Sequence, residues 1–162
     1  MEVLHPESVN TVRIPTINYG NRIEIFHPFL RIGRGASFVD NAGSGGIGCN
    51  VDVETGTIIC AGDELGNDYT VHPDSGVKLV GFRIPRWNEA MEMAKDLALT
   101  VPRVHYVGWD LALTDNGWVL IEGNEDGQFV FQIFSHQGAA KEVRSVYDKL
   151  KMIKRKNCFS PF

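Results

Sequence analysis

A chain of 162 residues, 43% hydrophobic and 22% charged, has the length and make-up of one globular domain with a real core. Its formal net charge of −4 argues against nucleic acid as a partner, and no run approaches the roughly 20 apolar residues that a membrane span needs. The N-terminus MEVLHPESVN lacks the basic and apolar regions of a secretory signal, and three scattered cysteines without CxxC spacing read as reduced thiols, so a cytoplasmic protein is expected.

Residues 8–17 and 22–32 predict strands joined by the turn Asn18-Tyr19-Gly20-Asn21. Residues 33–48 hold six glycines and predict a long loop with a short extended piece from Ser37 to Val39. The segment CNVDVETGTIIC predicts two short strands around Glu54-Thr55-Gly56. From Asp63 to Arg83 the pattern is irregular, with turn signals at Gly66-Asn67-Asp68 and Pro73-Asp74-Ser75-Gly76, and reads as a connector or as a cover over a site. A helix is expected from Pro85 or Arg86 to about Thr100, because Trp87, Met91, Ala94 and Ala98 recur at helical spacing and Pro102 stops it. A hairpin over Val107–Asn124 follows. A second helix fits Ala139 to Ile153, with Val143, Val146, Tyr147 and Leu150 on one face and a basic end suited to a helix C-terminus. This order predicts a single domain over 1–162 of the α+β class, an antiparallel sheet with helices packed on one face.

The hairpin carries the most chemistry. Val107, Trp109, Leu111 and Leu113 alternate with Gly108, Asp110 and Ala112, so one face is anchored by large hydrophobes and the other is small around a carboxylate. Asp115-Asn116-Gly117 suits a three-residue loop with Gly117 in the left-handed position. In that register Thr114 faces Trp118, Ala112 faces Leu120, Asp110 faces Glu122 and Gly108 faces Asn124; a two-residue turn would put Asp110 on the opposite face from Glu122. Directly opposed side chains have Cβ atoms about 4.5–5.5 Å apart. Two carboxylates that close resist ionising together unless a cation lies between them. Asp110, Glu122 and the Asn124 amide oxygen are hard ligands suited to Mg2+, which takes one or two carboxylates plus substrate phosphates. The structural alternative is a plain turn at Glu-Gly-Asn and a solvent-facing Asp110.

Gly43-Ser44-Gly45-Gly46-Ile47-Gly48 matches GxGxxG. A dinucleotide loop needs a helix directly after it, and the following CNVDVETGTI is rich in β-branched residues, so that reading fails. A Walker loop fails for want of GK[ST]. Successive backbone N–H groups of such a loop can still face an anion; a flexible surface turn fits equally. Basic residues gather in the predicted strands and their flanks at Arg13, Arg22, Arg31 and Arg34. Arg13 sits in a strand otherwise suited to burial, where a guanidinium needs phosphate or carboxylate as a partner; a structural ion pair is the common alternative. None of the five histidines forms an HxxxH or HxH pair, and three precede proline, which points to extended or turn backbone.

The segments SVNTVRI, FLRIGRGASFVDNAGSGGIG, HPDSG with GFRIPRW, and YVGWDLALTDNGWVLIEGN together span most of residues 8–124. On them the chain resembles the C-terminal lobe of an ATP-grasp enzyme, in particular the sugar-transfer-associated ATP-grasp proteins. The Asp…Glu-x-Asn arrangement is that family's metal signature and the most specific of these matches. The resemblance implies that Asp110 and Glu122 bind magnesium, with Glu122 bridging two ions and Asn124 completing the second. It implies that Arg13 and Arg31 are catalytic through contact with nucleotide phosphates, and that Asn41, Gly45 and Gly46 border the phosphate and acceptor region. ATP and Mg2+ would be the cofactors. The expected activity is a ligase that activates a carboxylate as an acyl phosphate and transfers it to an amine or similar nucleophile, in cell-surface sugar or polysaccharide modification. Small-molecule carboxylate, amine or sugar substrates are the expected partners.

The chain starts almost directly at the first strand of the later lobe, so the resemblance implies a missing N-terminal lobe, weak ATP binding and slight turnover in isolation. An apolar interlobe face would favour a homo-oligomer. Two alternatives come from other classes: a non-catalytic binding or assembly module that keeps the ATP-grasp fold, and a small metal-dependent phosphohydrolase. The latter needs a nucleophile or water-activating residue near the metals, and none is evident.

Overall fold

The computed structural model describes residues 1–35, 45–125 and 129–158, with side chains described as far as Ile153. The organising strand is β1, Thr11–Asn18. Val12 and Ile14 are fully buried on one face, while Thr11 and Arg13 turn to the other, the period of two that a strand imposes. Along one edge β1 pairs with β2 (Ile23–Ile25) and β3 (Phe29–Ile32). Along the other it pairs with β6 (Tyr106–Thr114). β4 (Ile47–Val51) and β5 (Ile58–Gly62) extend the sheet beyond β3. β7 (Gly117–Asn124) lies beyond β6, giving the order β5-β4-β3-β1-β6-β7 with β2 beside β1, seven antiparallel strands among the described residues. The predicted α+β class with an antiparallel sheet is what the chain builds.

The expected single strand over 22–32 is two. Between β2 and β3 the register against β1 slips by one residue, and Phe26-His27-Pro28 absorb the slip. Pro28 has no N–H for the ladder, and His27 adopts a φ of 46°, a left-handed backbone that leaves the strand path.

Helix α1, Trp87–Thr100, forms as its spacing predicts. Trp87, Ala90, Met91, Ala94 and Ala98 are buried in one core with Val12, Ile14, Leu30, Ile32, Trp109 and Leu111. Its first turn has no side-chain cap, so packing holds it; burying one large side chain contributes about 1.5–3 kcal/mol.

A short helix, α2 (Phe131–Ser135), packs on the opposite face against β4 and β5. Its Phe134 meets Phe29 with ring centroids 6.2 Å apart. Gly48 makes that packing possible, because a Cβ there would lie 1.9 Å from Phe134 Cζ. Gly48→Ala is therefore expected to destabilise the fold by about 1–3 kcal/mol, read as a lower urea midpoint. An unchanged midpoint would mean that Phe134 steps aside freely.

Helix α3 runs from Ala140 to Cys158, past the expected end at Ile153. Val143 packs on the Phe29–Phe131–Phe134 group, and Val146 and Leu150 are half-buried, but Tyr147 is exposed and stands outside that face. The irregular stretch 63–83 makes isolated bridges Thr57↔Arg83, Gly62↔Asp68 and Val71↔Lys78. Among the described residues no helix is long and apolar enough to cross a membrane.

Candidate metal and phosphate site

The β6–β7 hairpin sets Asp110 opposite Glu122 and Gly108 opposite Asn124, the pairs expected from sequence. It does so by a different route. Thr114 pairs with Gly117 and Ala112 with Val119, so the turn is the two residues Asp115-Asn116, not three. That shorter turn alone would send Asp110 to the wrong face. A register shift between Asp110 and Leu111 leaves Ile121 unpaired and restores the alignment. One extra residue in a strand flips the alternation beyond it. The expected pairings Thr114–Trp118 and Ala112–Leu120 are therefore corrected, while the pairings that matter for the site are kept.

The reverse face anchors the hairpin. Trp109 and Leu111 are buried in the α1 core, and Trp109 Nε1 donates to Thr16 Oγ1 at 2.9 Å. On the site face, β1 and β6 place Arg13 directly beside Asp110 in register. Arg13 Nε donates to Asp110 Oδ1 at 2.5 Å and Arg13 Nη2 to Oδ2 at 2.7 Å. Arg31, from β3, donates through Nη2 to the same Oδ2 at 2.7 Å. Such forked pairs between guanidinium and carboxylate are the strong, shape-specific ones. Arg31 is held in turn by Thr11 Oγ1, which accepts from its Nε at 3.0 Å and its Nη2 at 2.8 Å.

Asp110 is fully buried, whereas the Glu122 side chain is 57% exposed. Arg13 Nη2 reaches Glu122 Oε1 at 3.9 Å, and Asn124 Nδ2 donates to that oxygen at 3.2 Å. Burial alone would pull the Arg13 guanidinium down. The hydrogen bond and charge of Asp110, helped by Glu122 and Tyr106, outweigh it and raise the group above its ordinary value. Arg13 is thus a fixed cation in a sheet.

The sequence-predicted residues therefore divide. Arg13, Arg31, Asp110, Glu122 and Asn124 converge. Arg22 does not, pairing with Glu24 at 2.6 Å, nor does Arg34, which reaches Asp63 at 3.5 Å. Gly45 and Gly46 lie at the entry to β4, and the side chain nearest to an added Cβ on Gly45 is Arg34, at 3.5 Å. Asn41 lies outside the described residues. After the glycines comes β4, a strand, so no dinucleotide-type helix opens there. The small residues beside Asp110 have a clearer purpose than open space. A Cβ on Gly108 would come within 3.0 Å of Arg13 Cδ, so Gly108 makes room for the Arg13 stem. Thr11 was the missed residue; its spacing of two from Arg13 on a strand places both on one face.

Among the described residues no group of three or more His, Cys, Asp or Glu side chains converges. Two carboxylates and an amide are residue types that Mg2+ takes, with phosphate and water completing its shell; here Asn124 turns its Nδ2 to Glu122. Glu122 is open to solvent with Arg13 3.9 Å away, and the Arg13 and Arg31 guanidiniums have the fork that matches phosphate. A family model, sugar-transfer associated ATP-grasp, matches residues 1–148. None of the curated proteins and none of the solved structures matches the chain.

Proposed function

The chain belongs to the sugar-transfer associated ATP-grasp family, and from that premise we propose that the β1–β6–β7 face is the Mg·ATP site of an ATP-dependent ligase lobe. Asp110, Glu122 and Asn124 would hold Mg2+, and Arg13 and Arg31 would engage the nucleotide phosphates. Bound Mg·ATP supplies a phosphoryl group that activates a carboxylate as an acyl phosphate for displacement by an amine or similar nucleophile. The chain's own part is positioning and charge: two guanidiniums fixed by a sheet neutralise negative charge as it spreads over a transferring phosphoryl group. Gly45 and Gly46, at the entry to β4, would border the phosphate and acceptor region, and the acceptors would belong to surface-sugar or polysaccharide modification, the setting that the family description suggests.

One observation carries this reading: a buried aspartate and an exposed glutamate share a strand pair with two arginines on the same face. Calorimetric titration with ATP tests it, once with Mg2+ and once with a chelator. Saturable binding, weak in the isolated chain, is expected only with the metal. Equal binding in both, or none in either, would sink the proposal. The assembly-module reading draws on the mutual satisfaction of Arg13, Arg31 and Asp110, which a purely structural network also shows, and it expects no metal-dependent binding.

A further inference from the structure

Asp110 is the carboxylate that a metal would take, and both of its oxygens are already engaged. Oδ1 accepts from Arg13 Nε, and Oδ2 accepts from Arg13 Nη2 and Arg31 Nη2. Among the described residues, Asp110 is thus the counter-charge shared by Arg13 and Arg31, and Glu122 lies 3.9 Å from Arg13. Mg2+ alone would add positive charge beside two sheet-bound guanidiniums while competing with them for Asp110. Phosphate alone would add negative charge beside Asp110 and Glu122 while competing with them for the arginines. Both arrivals are opposed singly, because like charges repel, most strongly at buried Asp110 and the largely buried Arg13 and Arg31. Arriving together they re-pair these groups: metal on carboxylate, phosphate on guanidinium.

Resting on the proposed Mg·ATP site, we infer that it loads by ion-pair exchange. Asp110 passes from Arg13 and Arg31 to the metal in the same event that passes the arginines to phosphate, so neither ligand loads alone. The framework suits the swap. Thr11 Oγ1 gives Arg31 a second partner, accepting from both Nε and Nη2, and Glu122 and Asp110 flank Arg13 within one side chain's reach. The device is an interlock: in the resting site both Asp110 oxygens are held by the arginines, so the site is insensitive to free divalent ion and opens only to a metal that arrives with a polyphosphate. Because coupling is reciprocal, each ligand tightens the other.

Nuclear magnetic resonance of the full chain labelled with 15N-arginine tests this, with the Arg13 Nε signal identified by its loss in Arg13→Lys. The probes are Mg2+ alone, a non-hydrolysable ATP analogue with chelator, and the analogue with Mg2+. The Arg13 signal should hold its place with either probe alone and move, saturably, with the pair. Movement on adding Mg2+ alone would overturn the exchange. Saturable shifts elsewhere in the protein on adding the pair, with Arg13 unmoved, would overturn it while leaving the Mg·ATP site standing. Absence of any saturable response to the pair would overturn both.

Discussion

Replacing Asp110 with alanine is expected to cost the fold about 3–5 kcal/mol, the range for breaking one side of a buried ion pair. Asp110 is fully buried, and it is the shared counter-charge of two guanidiniums whose side chains are only 9% and 15% exposed. Its removal takes away the counter-charge that Arg13 and Arg31 share, with Glu122 3.9 Å from Arg13. Arg13 cannot escape by losing its proton, since a guanidinium stays protonated in proteins even when buried. For a domain of this size the loss corresponds to a fall in Tm of roughly 6–20 °C. The matching experiment replaces the whole network, with Asp110→Leu, Arg13→Met and Arg31→Met together. Buried ion clusters exchanged for apolar groups are often neutral or more stable, so the triple variant should recover most of the stability while losing nucleotide binding. A cost for Asp110→Ala below about 1 kcal/mol, the worth of an exposed pair, would mean that the arginines turn outward to water.

The change Glu122→Gln should behave in the opposite sense, sparing the fold and removing the function. Glu122 is mostly exposed, with Asn124 at 3.2 Å and Arg13 at 3.9 Å. Glutamine keeps the size and an acceptor oxygen, so the stability change should stay within about 0.5 kcal/mol. Metal-dependent ATP affinity should fall at least about 10–100-fold, the loss that follows even from disturbing a group behind a metal ligand. Titration calorimetry and a urea melt on the same preparation separate the two effects. Unchanged metal-dependent binding in a stable variant would remove Glu122 from the site.

The hairpin shows how far residues alone can carry an argument. Alternation in Val107–Leu113 revealed which side of the strand is core, and the facing of Asp110 with Glu122 followed. Two features that compensate, the two-residue turn and the unpaired Ile121, were invisible, because apolar Ile121 carries no local signal of a bulge. Arg13 announced itself as a cation within a burial pattern, and the need for an anionic partner followed; that Asp110 is the partner depends on which strands become neighbours. The break at His27 had a cue in the proline after it, yet a positive φ at histidine is set by the sheet's register and not by propensity. At five residues, α2 is too short for periodicity to show. Its place is written instead in Gly48, whose missing side chain admits Phe134.

The central claim is that a divalent ion and a polyphosphate share the face where Asp110, Glu122, Arg13 and Arg31 meet. Crystals grown with Mn2+ in place of Mg2+ and a non-hydrolysable ATP analogue test it directly through the anomalous signal of the metal. The account places that signal within coordinating distance of Asp110 and Glu122, with phosphate oxygens hydrogen-bonded to Arg13 and Arg31. A manganese peak elsewhere, with both arginines still closed on Asp110 beside a bound nucleotide, would contradict it.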